Sequence, residues 1–249
     1  SLEQCSSEIT AYYKAGLLQG DSLTDLTGGF GVDCSFLAEK FKSVTYVERQ
    51  EELCGIAAHN FHILGLNHIN VKNEDGIAHL KAMSPVDCIF LDPARRNEHG
   101  GKAVAISDCE PDVAALEGLL LNKAKQVMVK LSPMLDLSLA LRELQQTQEV
   151  HIISVNNECK ELLLILGQTI PQEIKIHCVN LSTKGEQEGQ HFTFTREQEQ
   201  CSQCNYTDSL DEYLYEPNAS LLKAGAFKSL SSAFPIRKLH PNSHLYTSD

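Results

Sequence analysis

Short apolar runs alternate with longer amphipathic segments over the first two thirds of the chain. The apolar runs predict strands near residues 21–24, 44–47, 69–71, 86–91, 126–130 and 151–155. The segments between them predict helices over residues 1–15, 34–41, 51–64, 112–125 and 135–144. This alternation is typical of a parallel sheet covered by helices on both faces. A further apolar run, 161–166, follows the last strand after a short polar connection and predicts an antiparallel hairpin at the sheet edge.

The pattern changes after residue 168. Segments 175–182 and 191–196 alternate as two paired strands would, and the polar stretch 197–203 predicts a flexible segment. Asn218 and Gly225 are residue types expected at the N-cap and at the end of a short helix. We therefore expect two domains. Residues 1–168 would form an α/β domain with a Rossmann-like, mostly parallel sheet, and residues 169–249 a small α+β domain.

Three glycines, Gly28, Gly29 and Gly31, follow the first predicted strand, and a helix is expected from about Asp33. Glycines allow a tight turn and a close approach of the backbone to a ligand, which the N–H groups of the next helix would also face. The spacing does not match the dinucleotide fingerprint G-x-G-x-x-G, whose third glycine would fall at Cys34. Asp25 would also repel a pyrophosphate, whereas it can hold an ammonium group.

Three more acidic residues stand at the ends of predicted strands: Glu48, Asp75 and Asp92. Ligands of open α/β sheets bind at the carboxyl ends of strands, where the strand order reverses. A carboxylate accepts two hydrogen bonds at once, so Glu48 suits a vicinal diol. A role as helix N-caps explains any one of these acids, but it explains four in succession poorly.

Residues 25–33, with Glu48, Asp75 and Asp92-Pro93, resemble the successive motifs of class I S-adenosylmethionine-dependent methyltransferases. The resemblance covers about residues 1–166 and implies S-adenosylmethionine as the cofactor of an enzyme. It implies that Asp25 and the glycine turn hold the methionine part, Glu48 the ribose hydroxyls, and Asp75 with Gly76 the adenine. The residues implied around the cofactor are Asp25, Thr27, Gly28, Gly29, Phe30, Gly31, Glu48, Arg49, Asp75, Gly76 and Asp92.

The run Asp92-Pro93-Ala94-Arg95 is expected to face the methyl acceptor. This motif is similar in sequence to that of RNA uridine-C5 methyltransferases, which attack the base with a cysteine that follows the fifth strand. This chain has Lys130-Leu131-Ser132-Pro133 there, so we expect direct transfer. Asp92 and the Pro93 carbonyl would accept hydrogen bonds from an amine acceptor.

Three cations near that run, Arg95, Arg96 and Lys130, would hold an anionic substrate. A salt-bridged loop explains the two arginines equally well. Asn157, in the hairpin connection, is a secondary substrate-binding candidate, although a polar turn also accounts for it.

The net charge of −12 argues against general, charge-driven binding of nucleic acid. The C-terminal end is nevertheless basic. We interpret these charges either as a phosphate-binding surface or as an ordinary solvated face. Residues 216–225 resemble the small THUMP-like domain appended to some bacterial methyltransferases, and this likeness implies RNA as the partner. The candidate RNA contacts at this end are Lys223, Lys228, Arg237 and Lys238.

RNA base methylation is therefore the expected function. A small-molecule or protein methyltransferase, or a cofactor-binding protein without catalysis, remains open as an alternative. The sequence does not predict an oligomeric state.

Nine cysteines are scattered through the predicted elements, as small apolar residues would be, and they predict a reduced, cytoplasmic protein. Cys201 and Cys204 form the C-x-x-C pair, but zinc would need two further ligands, so no metal site is expected. The apolar fraction of 42% is ordinary for a folded protein, and no apolar run reaches membrane-spanning length. No membrane partner is expected.

Overall fold

The structure, a computed structural model, describes residues 5–95, 105–183 and 189–249. Its helices are α1 Glu8–Ala15, α2 Val32–Ala38, α3 Glu51–Ile63, α4 Gly76–Ala82, α5 Val113–Lys123, α6 Leu137–Glu143, α7 Arg196–Cys201, α8 Ala219–Ala224 and α9 Phe227–Ala233. Its strands are β1 Ser22–Asp25, β2 Ser43–Glu48, β3 Ile69–Asn73, β4 Val86–Leu91, β5 Ala94–Arg95, β6 Cys109–Glu110, β7 Ala124–Leu131, β8 Thr147–Val155, β9 Glu158–Gly167, β10 Lys175–Leu181, β11 Gln190–Thr195, β12 Tyr213–Tyr215, β13 Arg237–Lys238 and β14 Tyr246–Ser248.

Nine strands form one mostly parallel sheet in the order β11-β10-β8-β9-β7-β4-β1-β2-β3. The predicted Rossmann-like α/β architecture is therefore confirmed. The hairpin of β8 and β9 does not end the sheet as expected, because β10 pairs parallel with β8 and β11 pairs antiparallel with β10. The alternating pattern of residues 175–182 predicts a strand, but it does not reveal which distant strand is its neighbour.

The chain divides into two compact units, the first comprising residues 1–147 and 164–170 and the second residues 148–163 and 171–249. In the first unit, β1 is flanked by β2 on one side and by β4 on the other. The chain thus reverses its direction of winding at β1, which opens a crevice beside the carboxyl ends of these strands. Residues 88–91 of β4 and 127–129 of β7 are consecutive buried apolar residues because both faces of the sheet are covered.

In the second unit, β8 and β9 are joined by Asn156 and Asn157, whose φ angles are 49° and 65°. Positive φ at both central residues is typical of a type I′ hairpin turn, a conformation that asparagine tolerates well. Helix α8 begins at Asn218, whose side chain accepts a hydrogen bond from the Leu221 N–H, and ends at Gly225 with φ of 70°. The predicted boundaries of this helix are confirmed.

The stretch 197–203, predicted to be flexible, instead forms most of helix α7. Thr195 and Gln198 cap it reciprocally, each side chain accepting a hydrogen bond from the other's backbone N–H. The Glu199 carboxylate accepts further bonds from the backbone N–H groups of Lys228 and Ser229 at the start of α9. The polar composition of this stretch did not predict a helix, because the helix is stabilised by hydrogen bonds and not by the burial of an apolar face.

Candidate active site

A pocket of about 340 Å³ opens at the carboxyl ends of β1 to β4. All four acids predicted at strand ends line it, together with the glycine turn after β1. Lys130, at the end of β7, lines the same pocket. The predicted site residues along its wall are Asp25, Thr27, Gly28, Gly29, Phe30, Gly31, Glu48, Arg49, Asp75, Gly76, Asp92 and Lys130.

The glycine turn lies directly on the ring of Tyr46, a fully buried residue of β2. A Cβ atom at Gly28 would overlap this ring, and the Tyr46 hydroxyl donates a 2.5 Å hydrogen bond to the Gly29 carbonyl. At Gly31, where φ is 78°, a Cβ would lie 2.7 Å from the ring of Phe61. The turn is therefore shaped from below by two aromatic rings, and its backbone is left facing the pocket.

Asp25 closes β1 and is 1% exposed. Its Oδ1 accepts a hydrogen bond of 3.0 Å from the Thr27 N–H. Burial, with smaller contributions from the charges of Asp33 and Asp92, raises the pKa of Asp25 to about 8. The carboxyl group is consequently protonated near neutral pH, and a cation placed beside it would favour its ionised form.

Glu48, at the end of β2, lies across the glycine turn. One carboxylate oxygen accepts a hydrogen bond of 2.9 Å from the Gly29 N–H, and the other accepts one of 2.8 Å from the Gln50 N–H. The side chain is thereby held at the pocket wall. The next residue, Arg49, forms an ion pair of 2.8 Å with Glu110 on β6 at the pocket rim.

Asp75 and Gly76 begin helix α4 after β3. The Asp75 carboxylate caps the helix by accepting a bond of 2.8 Å from the Ala78 N–H. A Cβ at Gly76 would overlap the Leu26 carbonyl, so the glycine permits the start of α4 to approach the end of β1. Sequence reasoning treated N-capping and ligand binding as rival explanations of Asp75, but its position allows both.

Asp92 follows β4 and is tied to both neighbouring strands. Its backbone N–H donates a 2.6 Å hydrogen bond to the Thr27 hydroxyl, and its Oδ2 lies 2.6 Å from the Lys130 ammonium. The Asp92 side chain keeps 39% of its surface exposed. Burial raises the pKa of Asp92, while the charge of Lys130 opposes that rise.

A buried group of charges supports Lys130 from behind, and sequence reasoning missed it. Asp33, on α2, lies 3.0 Å from Lys130 and 2.9 Å from Lys14 of α1, which is completely buried. The Ser6 hydroxyl contacts all three, at 2.9 Å from Asp33, 2.6 Å from Lys14 and 3.1 Å from Lys130. Burial would raise the pKa of Asp33, but the two lysine charges outweigh it and lower that pKa.

The remaining candidates near the acceptor run are located only in part. Pro93 is buried, and the backbone of Arg95 lies in strand β5. Arg96 lies outside the described residues. The Asp92-Pro93-Ala94 segment is held near the pocket because β5 pairs antiparallel with β6.

The other substrate-binding candidates lie in the second unit. Asn157 accepts a hydrogen bond of 2.8 Å from the Ala219 N–H at the start of α8. Lys223 and Lys228 lie on α8 and α9, and Lys228 is exposed. Arg237 forms an ion pair of 2.5 Å with Asp211.

Lys238 is buried, and its ammonium donates a 2.8 Å hydrogen bond to the Pro241 carbonyl while lying 5.1 Å from the centre of the Phe227 ring. An ammonium held in this way is not displayed for a phosphate. The sequence could not show this, because lysine is usually exposed.

Within the described residues, none of the helices combines the length and the apolar character that crossing a bilayer requires.

A mostly parallel sheet with a glycine turn after its first strand, and with acids at the ends of successive strands, has the architecture of a class I methyltransferase. Two family models match separate parts of the chain. Residues 3–97 match the model of protein-L-isoaspartate (D-aspartate) O-methyltransferase. Residues 213–249 match the model of a ferredoxin-like domain, so the expected THUMP-like assignment stays a prediction.

Among solved structures, the chain is similar to a candidate methyltransferase from Porphyromonas gingivalis W83. The two are 39% identical with a TM-score of 0.87, and the match covers 99% of this chain and 62% of that one. The chain thus spans less than two thirds of its relative's length. It also shares a fold, at 11% identity and a TM-score of 0.53, with the modification subunit of a candidate type I restriction enzyme from Vibrio vulnificus YJ016. That match covers 82% of this chain and 57% of the other. No curated protein sequence matches the chain significantly.

Proposed function

We propose that this chain is an S-adenosylmethionine-dependent methyltransferase. One observation carries the proposal: acidic side chains from four strand ends meet in one pocket with a glycine turn whose backbone faces it. The turn is packed against the Tyr46 ring, which a side chain at Gly28 would overlap, and the opposite side of its backbone faces the pocket. The donor set also fits the chemistry of the cofactor, which carries an ammonium group, a ribose diol and an adenine amine.

Each acid would meet a different part of the cofactor. Asp25 would pair with the ammonium of the methionine part, Glu48 would accept hydrogen bonds from the ribose hydroxyls, and Asp75 would accept one from the adenine amine. Glu48 is already aligned by the backbone N–H groups of Gly29 and Gln50, which reduces the entropy lost on binding. Two further pocket residues that we assign to the cofactor side are Phe30 and Arg49.

When bound, S-adenosylmethionine supplies a methyl group activated by a sulfonium sulfur. The protein's own contribution is then chiefly to align the acceptor and to exclude water, which is worth at most ~7–11 kcal/mol. Asp92 would accept hydrogen bonds from the N–H groups of an amine acceptor and so direct the lone pair of the amine. The position of Asp92 is fixed by the hydrogen bond from its backbone N–H to the Thr27 hydroxyl. Lys130 would keep the Asp92 carboxylate oriented.

For the acceptor we propose a base in RNA. The support is the likeness of residues 216–225 to a THUMP-like domain and the basic residues Lys223 and Lys228. The match to the protein-L-isoaspartate O-methyltransferase model ends at residue 97 and leaves the rest of the chain unmatched, so we do not take the acceptor from it. A protein or small-molecule acceptor is the second candidate. It is favoured by the net charge of −12 and because Arg237 and Lys238 interact with Asp211 and with the Pro241 carbonyl of the protein itself.

The test is transfer of labelled methyl from S-adenosylmethionine to total RNA taken from cells that lack the protein, with a ribonuclease-treated control. Cofactor binding by the same preparation is measured by calorimetry. Label that ribonuclease removes would support both proposals. Cofactor binding without labelled RNA would overturn the RNA acceptor, and absence of cofactor binding by folded protein would overturn the enzyme class.

A further inference from the structure

Three potential metal ligands converge in the second unit, and none of them belongs to the pocket described above. Glu149 and His151 lie two residues apart on β8, so their side chains share one face of the strand. His177 lies directly opposite His151 in the parallel pairing of β8 with β10. One ligand atom from each of the three residues lies within 4.8 Å of the other two.

The spacing of these atoms is compatible with a shared metal ion. His151 Nε2 forms a long hydrogen bond of 3.3 Å with Glu149 Oε2, and His177 Nε2 lies 3.6 Å from the same oxygen. Hydrogen bonds between nitrogen and oxygen are usually about 2.7–3.2 Å long. A tetrahedral ion with bonds of about 2.0–2.2 Å instead separates its ligand atoms by roughly 3.4 Å.

The outer contact of His177 also fits a metal ligand. Its Nδ1 lies 2.9 Å from the Thr193 hydroxyl on β11. In the tautomer that donates from Nδ1, Nε2 carries the lone pair. This Nε2 atom is buried and has no hydrogen-bond partner among the residues that the structure describes. Metal-bound histidines usually donate their second N–H to such an acceptor.

The two imidazole rings lie against each other. Their centres are 4.4 Å apart and their planes are 13° from parallel, so binding of one ion by both Nε2 atoms would require one ring to turn about its side-chain torsions. Glu149, with 43% of its side chain exposed, adds a negative charge and a route from solvent.

We propose that Glu149, His151 and His177 bind a divalent transition-metal ion of the zinc type, with the remaining coordination position taken by water. Two histidines and one carboxylate form a common zinc-binding set. Because the ligands come from β8 and β10, the ion would link two strands whose pairing connects residues far apart in the sequence. This site is independent of the proposed methyl transfer.

The test is titration of the metal-free full-length chain with Co²⁺, followed by visible absorption. We expect saturation at one ion per chain, with the d–d bands of nitrogen and oxygen ligands and without a thiolate charge-transfer band. The Cys201→Ser/Cys204→Ser double variant should give the same spectrum. A site made by these cysteines would instead lose its bands in that variant and overturn the proposal.

Matched variants assign the ligands. Glu149→Gln and His177→Gln should weaken Co²⁺ binding strongly, and Thr193→Val, which alters only the outer contact, should weaken it roughly 10- to 100-fold. His240→Gln, at an exposed histidine of the same unit, should leave it unchanged. Circular dichroism of the metal-free variants checks folding, which the partly exposed Glu149 and the exposed Thr193 should preserve. Unchanged affinity in folded Glu149→Gln and Thr193→Val would overturn the assignment.

Discussion

The Lys130 ammonium lies 2.6 Å from the Asp92 carboxylate, and this ion pair joins the end of β7 to the segment that follows β4. Lys130 also contacts Asp33 at 3.0 Å, so its position is fixed from the protein interior. Asp92 is thereby presented to the pocket in one orientation. This arrangement suits a residue that aligns an acceptor rather than one that holds the cofactor.

Asp92→Ala is therefore expected to separate transfer from cofactor binding. Loss of the side-chain oxygen that aligns the methyl acceptor should lower kcat by roughly 10²-fold. Calorimetric affinity for S-adenosylmethionine should change only a few-fold. The control is Asp108→Ala at an exposed carboxylate outside the pocket, which should leave both quantities unchanged. Transfer at the wild-type rate by Asp92→Ala would contradict the role.

Glu48→Ala should weaken cofactor binding. Hydrogen bonds to a charged group contribute about 1.5–3 kcal/mol, which corresponds to a loss of roughly 10- to 150-fold in affinity. Glu52→Ala, at an exposed acid in the first turn of α3, is the matched control. Calorimetry with S-adenosylmethionine measures both variants. Equal affinities for Glu48→Ala and Glu52→Ala would remove Glu48 from the cofactor site.

Gly28→Ala tests whether position 28 must lack a Cβ atom to leave room for the Tyr46 ring. A Cβ there overlaps the buried ring, so we expect lower thermal stability and loss of cofactor binding. Gly55→Ala, in the exposed interior of α3 where no atom lies within 4 Å of the added Cβ, should instead stabilise the protein by about 0.5–1 kcal/mol. Both are measured by thermal unfolding and calorimetry. A Gly28→Ala variant that keeps wild-type stability would refute the steric argument.

Asp25 should give the protein a distinctive dependence on pH. The pKa of its carboxyl is about 8 in the folded protein against 3.8 for an unperturbed aspartate. Between these pH values Asp25 is protonated in the folded state and ionised in the unfolded state. The contribution of Asp25 to the free energy of unfolding therefore falls as pH rises from about 4 to about 8. Asp25→Asn should therefore unfold at a higher temperature than the wild type at pH 8, with the difference shrinking towards pH 4.

The same group should govern cofactor affinity in the opposite sense. Asp25 must lose its proton to pair with an ammonium group, so wild-type affinity should increase as pH rises from about 6 towards about 8. Asp25→Asn should bind weakly at every pH. Calorimetry at several pH values, alongside the melting series, tests both statements. Parallel pH profiles for the wild type and the variant would show that Asp25 does not titrate in this range.

Lys14→Met should be strongly destabilising although Lys14 lies on a short helix near the N-terminus. Its removal leaves part of the buried Asp33 charge unpaired, which typically costs about 3–5 kcal/mol. Lys42→Met removes a lysine from an ion pair with Asp21 in which both side chains are largely exposed, and it should cost less than about 1 kcal/mol. Urea unfolding of the two variants gives the comparison. Similar midpoints for both would contradict the buried network.

The sequence predicted the pocket residues well because one physical rule connects them. Asp25, Glu48, Asp75 and Asp92 each follow an apolar strand, and parallel strands bring their carboxyl ends to one edge of a sheet. The glycine turn was recognisable for a similar reason, since Gly28, Gly29 and Gly31 differ from the residues that strands and helices favour.

The buried charges could not be predicted in the same way. Lys14 sits in a polar, amphipathic segment, where a lysine is normally solvated, and Asp33 resembles an ordinary acid in the first turn of a helix. Their pairing depends on how α1 and α2 pack. The cluster of Glu149, His151 and His177 was hidden because the sequence does not indicate that β10 pairs with β8. The very short strands β13 and β14 contain too few residues to show an alternating pattern.

The contact between Gly28 and Tyr46 has a consequence for the evolution of this pocket. The requirement for glycine at position 28 comes from the size of a ring on the neighbouring strand, not from the ligand. In related sequences we therefore expect the two positions to co-vary, with alanine or serine at position 28 only where a smaller residue replaces the tyrosine. A Tyr46→Leu background should likewise reduce the cost of Gly28→Ala, which a double-mutant cycle would measure as a coupling energy.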